Sequence, residues 1–193
     1  MSIEILYVSF YSYFLGSIPF GLVLTKLFLD KDLRNVGSGN IGATNVLRTG
    51  KKSLGALTLF LDGLKSYIVI IITYKYFADY IYLSALLCFL GHIFPVWLKF
   101  KGGKGIAVFL GMLFALSINY GIIFIACWSL VAYITKYSSL SSLISTGIIF
   151  LHSIYLKNSF ESIFFFIIFV IVLYVHRENI VRLKNKTENK ISL

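Results

Sequence analysis

The sequence predicts an all-α integral membrane protein, a single domain over residues 1–193 built as a bundle of seven transmembrane helices. Of the 193 residues 58% are hydrophobic, and the mean hydropathy is +0.85; soluble domains are about 45–50% apolar. The apolar residues stand in long uncharged runs, and about 20 such residues cross a bilayer as a helix. Short basic loops separate these runs, which favours membrane spans over one soluble core.

The predicted spans follow the apolar runs in order. There are six such runs: 5–25, 53–74, 80–98, 105–135, 137–156 and 162–175. The fourth of them is long enough for two helices. Pro19 interrupts the first run, which is tolerated where neighbouring helices support the backbone. Asp62 and Lys65 interrupt the second run and, three residues apart, share a helix face. Ionisable residues inside a membrane indicate either a function or a structural ion pair.

The run 105–135 decides the number of spans. It forms either one long helix or two short helices with a turn at residues 119–121. Cytoplasmic loops carry an excess of Lys and Arg. Seven spans place fifteen basic residues inside against two outside, whereas six spans give nine against eight. We therefore expect seven spans, with the N-terminus outside and the C-terminus in the cytoplasm.

The net charge of +10 limits the classes of molecule that the chain is expected to bind. A basic chain can bind nucleic acid, anionic lipid or small anions. The charges here lie in short loops between apolar runs, and no nucleic-acid-binding module is recognisable. We expect membrane lipid and small anionic substrates as partners, and no nucleic acid. Three histidines without a His/Cys cluster predict no metal site.

The first candidate site is the first polar loop, residues 36–48. Its three glycines let backbone amides approach an anion, and the planar guanidinium of Arg48 suits phosphate. Further donors come from its small and polar residues: Ser38, Gly39, Asn40, Thr44 and Asn45. The alternative is a turn followed by a helix capped by Ser38 or Thr44. The spacing matches neither common nucleotide-binding glycine motif.

The second candidate is the glycine loop, residues 99–105. Gly102 and Gly103 stand between Lys101 and Lys104, which predicts an anion nest with added point charges. The alternative is a basic loop that anchors the chain at the membrane surface. His92, shortly upstream, is interpreted as a hydrogen-bonded packing residue rather than a catalyst.

The third candidate is the histidine segment, residues 176–180. If the last helix continues through it, His176, Asn179 and Ile180 share one face. An imidazole titrates near neutrality, and Asn179 could orient it or hold a substrate hydroxyl. Glu178 lies off that face and is expected to hold a loop or Arg177. The alternative is a polar helix end in the headgroup layer. The charged tail that follows, through Lys190, is expected to be solvated or lipid-facing.

Three function classes fit a basic membrane protein with these segments, which the predicted topology places on the cytoplasmic face. An enzyme acting on phosphorylated substrates would use all three segments. A transporter of organic phosphates predicts inverted repeats and charges at mid-membrane, but the charges here cluster at one face. A scaffold that grips anionic headgroups would not require the Ser/Asn/Gly-rich loop or the His–Asn pair.

The three segments resemble, in order and spacing, the signatures of the bacterial PlsY family of acyl-phosphate–glycerol-3-phosphate acyltransferases. They are residues 37–45, residues 91–95 with 100–105, and residues 176–180, within a resemblance that runs from Gly16 to Asn189. The resemblance implies a seven-helix bundle in the bacterial inner membrane with a site facing the cytoplasm. It implies acyl phosphate as donor, glycerol 3-phosphate as acceptor and lysophosphatidic acid as product, without metal, nucleotide or other cofactor.

The resemblance also implies the functional positions: Ser38, Arg48, Lys104, His176 and Asn179. Ser38 and Arg48 are expected to help hold glycerol 3-phosphate. Lys104 and the amides of Gly102 and Gly103 are expected to hold the phosphate of the donor. His176 either takes a proton or only orients the hydroxyl, and a substrate phosphate is the alternative base.

This chain departs from the family pattern at three places. The segment after Arg48 is one residue shorter, Ser66 stands where glycine commonly follows the lysine of the second span, and Lys186 replaces a usual glycine in the tail. The implied site residues are intact. No serine has a His/Asp triad around it, so a covalent acyl-enzyme is not expected.

Overall fold

The computed structural model describes residues 3–157 and 159–191, and in that part of the chain all regular structure is helical. The prediction of an all-α protein is therefore confirmed. Two compact units are distinguished, one ending at Leu116 and the other beginning at Ser117. The single domain over residues 1–193 stays a prediction, and each unit is described by itself.

The first unit contains helices α1 to α6. A break at Gly16 to Pro19 separates the first two, and a short 3₁₀ turn, Val96–Leu98, follows the fifth. The bounds are α1 Ile3–Gly16, α2 Phe20–Leu29, α3 Ala43–Leu47, α4 Lys52–Tyr76, α5 Ile81–Ile93 and α6 Ile106–Leu116.

Glycines allow two close helix contacts in this unit. A Cβ atom at Gly91 of α5 would overlap the carbonyl oxygen of Tyr13 in α1, and one at Gly111 of α6 would overlap that of Gly63 in α4. Small residues permit such close backbone approach in membrane helices, where dispersion contacts replace the hydrophobic effect as the driving force. The first of these contacts lies near the ends of α1 and α5, and the glycine loop follows the end of α5.

The second unit contains helices α7 to α10: α7 Ile118–Thr135, α8 Ser138–Tyr155, α9 Ser159–Val175 and α10 Arg177–Lys184. Polar side chains join the first three, since the Trp128 indole donates to Ser142 Oγ at 3.1 Å and the Tyr120 hydroxyl to Glu161 Oε2 at 2.6 Å. Between α9 and α10 the helix axis bends by 61°.

Five helical segments in the described residues are long and apolar enough to span a membrane, or six if α9 and α10 count as one bent span. Helix α6 is apolar but has only 11 residues. At 1.5 Å per residue it covers about 16 Å, roughly half of a 30 Å hydrocarbon core. Seven spans and their orientation therefore stay predictions.

The run 105–135 does divide into two helices, but the predicted turn was misplaced. The break lies at Ser117, whose backbone is extended, and residues 119–121 belong to the first turn of α7. Gly121 is buried there, and its N–H donates to the Ser117 carbonyl at 3.3 Å. The Asn-Tyr-Gly sequence thus lies in the first turn of a helix, where glycine destabilises the helix less than in its interior.

Candidate functional site

The side chain of Asn45 organises the first polar loop from its centre. It is only 2% exposed, and its amide nitrogen donates to the carbonyl oxygens of Leu33 at 3.2 Å, Val36 at 2.8 Å and Asn40 at 2.8 Å. Buried backbone carbonyls need such partners. One side chain therefore replaces the regular hydrogen bonds that this irregular segment lacks.

The other end of the Asn45 amide faces the residues expected to bind phosphate. Its Oδ1 accepts the backbone N–H of Ser38 at 3.1 Å and a guanidinium N–H of Arg48 at 3.4 Å. Gly37 has φ +53°, and a Cβ atom there would lie 2.6 Å from Asn45 Oδ1 and 2.9 Å from Arg48 Cδ. Ser38 and Arg48 are themselves exposed. The buried Asn45 side chain thus holds Ser38 and Arg48 in place at the surface.

Asn40, rather than Ser38 or Thr44, closes the turn before α3. Its Oδ1 accepts the N–H of Gly42 at 2.9 Å, an Asx turn that leads directly into the helix. Gly39 beside it has φ +70°, a conformation that favours glycine. The alternative interpretation, a side-chain cap at Ser38 or Thr44, is not what the structure has, since Ser38 lies before the turn and Thr44 lies within α3.

A small apolar cluster places the glycine loop beside the first polar loop. Leu33, Ile41 and Val46 are buried together, and partly buried side chains that pack against them include Leu98. Leu98 immediately precedes the glycine loop. Two of the three predicted segments are therefore neighbours within the first unit.

The amides of Gly102 and Gly103 do not face outward as predicted. The Gly102 N–H donates to the carbonyl of Ile93 at 2.9 Å, and the Gly103 N–H to that of His92 at 3.1 Å. A Cβ atom at either glycine would collide with His92. The two glycines thus dock the loop on the end of α5, which corrects the expectation that their amides form an anion nest. Lys101, exposed, and Lys104, half-buried, supply the positive charge.

The predicted pairing of Asp62 with Lys65 is present inside the first unit. Lys65 Nζ lies 2.7 Å from Asp62 Oδ1, and both side chains are buried. His92 is buried as well, and its Nδ1 lies 3.0 Å from Lys65 Nζ. The interpretation of His92 as a hydrogen-bonded packing residue is consistent with this contact.

His176 stands at the bend between α9 and α10 and is 2% exposed. Its Nδ1 lies 2.9 Å from the carbonyl oxygen of Val172. A carbonyl can only accept, so Nδ1 carries the proton, and a neutral His176 has its lone pair on Nε2. This tautomer suits a group that accepts a proton through Nε2.

The predicted shared face of the histidine segment is only partly correct, because the helix bends at His176. Asn179 is buried with His176, but Ile180 is 38% exposed. Glu178 lies 3.8 Å from Arg182 rather than beside Arg177. Arg177 instead donates to the Tyr174 carbonyl at 3.0 Å and stacks on its ring.

Glu188 is a site residue that the sequence reasoning missed. Its Oε1 accepts from the Asn179 amide at 2.6 Å and from Ser139 Oγ at 2.8 Å, and its Oε2 accepts from Arg182 Nε at 2.7 Å. Its side chain is 7% exposed. The available signal was that the family resemblance continues to Asn189. The tail is therefore folded back at Glu188, which corrects the expected solvated or lipid-facing position there, whereas Lys184, Lys186 and Lys190 are exposed.

The surroundings of Glu188 set its protonation. Burial raises the pKa of the Glu188 carboxyl, but hydrogen bonds from Arg182, Asn179 and Ser139 outweigh it and leave the pKa below its ordinary 4.5. Glu188 is thus a carboxylate at neutral pH, and as such it can only accept hydrogen bonds. This fixes the orientation of the Asn179 amide, with its NH₂ group toward Glu188.

The first unit thus presents a hydroxyl and three cationic groups on two adjacent loops: Ser38, Arg48, Lys101 and Lys104. The second unit presents an imidazole and a fixed carboxamide, those of His176 and Asn179. Guanidinium and ammonium groups bind phosphate, and an imidazole can move a proton. This chemistry suits group transfer between phosphorylated substrates.

Comparison with known proteins identifies the family. The sequence profile described as Glycerol-3-phosphate acyltransferase matches residues 6–186. The chain belongs to the glycerol-3-phosphate acyltransferase family. It is 52% identical to a glycerol-3-phosphate acyltransferase of Pelagibacter ubique (strain HTCC1062) over 98% of this chain and 99% of the relative. It is 47% identical to one of Rhodopseudomonas palustris (strain BisB5) over 93% and 92%.

Two crystal structures of PlsY (YgiH), an integral membrane glycerol 3-phosphate acyltransferase, share this fold. The glycerol 3-phosphate form has a TM-score of 0.90 and 38% identity, and the lysophosphatidic acid form has 0.88 and 36%; both alignments cover 98% of this chain and 96% of the other. The resemblance to the PlsY family is therefore confirmed. The chain is a multi-pass membrane acyltransferase that uses glycerol 3-phosphate.

Removing the Asn45 side chain is expected to loosen the first polar loop. Asn45→Ala leaves buried carbonyls and the Ser38 N–H without their partner, which costs about 2 kcal/mol and releases Arg48. We expect a lower thermal unfolding temperature and a lower rate of acyl transfer in lipid nanodiscs. Asn35→Ala, an exposed asparagine nearby, is the matched control. Equal stability and activity of the two variants would show that Asn45 does not organise the loop.

The Glu188 contacts are expected to make stability depend on pH. Since the folded-state pKa lies below 4.5, their contribution is fully present above about pH 4.5 and is lost as the pH falls through the lowered pKa. The unfolding temperatures of wild type and Glu188→Gln should differ by a constant amount above about pH 4.5 and converge below it. Glu178→Gln, on an exposed carboxylate, serves as control. A difference that does not change with pH would contradict this assignment.

Proposed function

We propose that the chain transfers a fatty acyl group from acyl phosphate to the sn-1 hydroxyl of glycerol 3-phosphate. The products are lysophosphatidic acid and phosphate, and the reaction is the first acylation of phospholipid synthesis. The observation that carries the proposal is the adjacency of the first polar loop and the glycine loop, which together hold Arg48, Lys101 and Lys104. The glycerol 3-phosphate and lysophosphatidic acid forms of the related PlsY structure support this acceptor and product.

Two phosphate groups must come close together in this reaction, and their repulsion has to be offset. Two like charges 4 Å apart repel by about 4 kcal/mol at an effective dielectric constant of 20. We assign Arg48 and Ser38, with Gly39, Asn40 and Thr44 shaping their loop, to glycerol 3-phosphate. We assign Lys101 and Lys104 to the donor phosphate, with Gly102 and Gly103 bringing their loop into place.

The donor assignment rests on chemistry. Acyl phosphate is a mixed anhydride and is already activated, so the transfer needs no nucleotide, and we propose none and no metal. The hydroxyl oxygen of the acceptor attacks the acyl carbonyl carbon and forms the ester bond. The bond from that carbon to the phosphate oxygen breaks, and phosphate leaves with the electron pair.

The proton of the attacking hydroxyl goes to a base beside it. The Nδ1–H contact of His176 with Val172 supports Nε2 as that base, and Asn179, held by Glu188, would orient the hydroxyl. A substrate phosphate oxygen, with a pKa near 6, is the alternative acceptor.

We further propose that the site faces the cytoplasm from the bacterial inner membrane, in a seven-span topology with the N-terminus outside. The excess of Lys and Arg in the predicted inside loops supports this orientation. The acyl chain of the donor would lie in the lipid and its phosphate at the interface. Glycerol 3-phosphate, a soluble dianion, would then enter from the cytoplasm.

The donor assignment predicts which substrates yield product. Purified protein in lipid nanodiscs should form lysophosphatidic acid from labelled glycerol 3-phosphate and acyl phosphate, but not from acyl-CoA or acyl carrier protein. Lys104→Met should raise the KM for acyl phosphate about tenfold or more, because a charge-assisted phosphate contact is lost. Lys99→Met, an exposed lysine of the same loop, is the control. Product from the rival donors alone would contradict the donor assignment.

The base assignment predicts a pH-dependent loss of activity. A positioned general base contributes about 10²–10⁴ in rate, so His176→Ala should lower kcat by that order and change the pH dependence of kcat. His152→Ala, also in the second unit, should leave the profile unchanged. If His176→Ala kept near-full turnover with an unchanged pH profile, the substrate phosphate would be the base.

A further inference from the structure

A buried polar cluster, formed by Asp62, Lys65 and His92 and called here the Lys65 cluster, lies behind the glycine loop. The side chains of all three are no more than 4% exposed. None of them belongs to the residues assigned above to substrate. A buried charge pair in a membrane protein is costly and needs a reason for its presence.

The Lys65 ammonium satisfies all three of its hydrogens within this cluster. Its Nζ lies 2.7 Å from Asp62 Oδ1, 2.7 Å from the carbonyl oxygen of Ile18 and 3.0 Å from His92 Nδ1. An ammonium group only donates, so His92 Nδ1 accepts and the His92 ring carries its proton on Nε2. The cluster therefore specifies one tautomer and one orientation of the His92 ring.

His92 contacts the glycine loop at two points, one on its backbone and one on its ring. Its carbonyl oxygen accepts the Gly103 N–H at 3.1 Å, and a Cβ atom at Gly103 would overlap the ring at Nε2. The ring thus forms the surface on which the loop rests. Because Gly103 lies in direct contact with the ring, a change in the position of the ring is expected to move the loop.

The same ammonium also holds the break between α1 and α2. Ile18 immediately precedes Pro19, and its carbonyl accepts from Lys65 where the regular helix stops. Phe20, the first residue of α2, has its ring centroid 5.6 Å from Lys65 Nζ. One buried cation therefore links α4, the α1–α2 break and α5.

We infer that Asp62, Lys65 and His92 are positioning residues for the transfer reaction. They fix the glycine loop so that Lys101 and Lys104 present their charges at the right place for the phosphate of the acyl donor. This inference rests on the proposed function for the identity of that phosphate. Its structural part, the hold of the cluster on Gly102 and Gly103, is independent of the substrate.

A positioning role has a signature that a general loss of folding lacks. Lys101 and Lys104 stay in the chain, so the charges that bind phosphate are retained but displaced. A displacement of about 1 Å can lower the rate roughly 100-fold. The KM for the acyl donor should rise about tenfold or more, while the KM for glycerol 3-phosphate changes little. Amide hydrogen exchange should quicken at Gly102 and Gly103 and stay slow within α5.

The test uses two variants of the full chain in lipid nanodiscs. His92→Gln removes the ring but leaves the Asp62–Lys65 ion pair intact. Asp62→Asn with Lys65→Met removes both charges together, so no unpaired charge stays buried. The matched controls are His152→Gln and Asp79→Asn with Lys75→Met, the latter two at exposed positions on or beside α4. Both KM values and residue-resolved exchange are measured on the monodisperse fraction.

The expected result is a selective rise in the donor KM together with faster exchange at Gly102 and Gly103 in both cluster variants but not in the controls. Unchanged exchange at these two glycines would overturn the inference. So would a uniform rise in exchange along the chain with both KM values unchanged, since that indicates stability alone. If wild type makes no product from acyl phosphate, the donor assignment fails, and the exchange comparison still decides whether the cluster holds the loop.

Discussion

Backbone polar groups near a membrane must find their partners inside the protein, because lipid offers none. The functional segments of this chain depend on buried polar groups. The side chain of Asn45 holds the first polar loop, the backbone carbonyls of His92 and Ile93 hold the glycine loop, and the side chain of Glu188 holds Asn179 of the histidine segment. The helices bring these groups into place, and the residues that we assign to substrate depend on them.

This arrangement separates the groups that hold the backbone from the basic groups that we assign to substrate. Arg48 and Lys101 are exposed, whereas Asn45 and His92 are buried directly behind their loops. A long basic side chain alone is a poor positioning device, because ordering it costs side-chain entropy. With the loop backbone already fixed, only the last side-chain torsions have to be ordered when a phosphate binds, which is the benefit of preorganisation.

The sequence predicted the helices well because apolar runs and charged interruptions are local signals. Asp62 and Lys65, three residues apart, could be paired from spacing alone. Glu188 could not be paired with Asn179 in the same way, since the contact depends on a tail that reverses its direction after α10. The Gly102 and Gly103 amides were misjudged for a related reason. Glycines between lysines show that the backbone can approach something closely, but not whether that is an anion or the carbonyls of α5.

Two departures from the family pattern show how the same framework tolerates change. Ser66, where glycine is usual, faces the tight contact of α4 with α6, and its hydroxyl donates to the Val108 carbonyl at 2.6 Å. The added polar atom is thereby satisfied instead of being buried alone. Lys186 replaces a glycine at φ +58°, where a residue with a Cβ atom pays about 1–2 kcal/mol. That position is exposed and lies two residues before Glu188, whose contacts with Asn179, Ser139 and Arg182 can hold the turn against this strain.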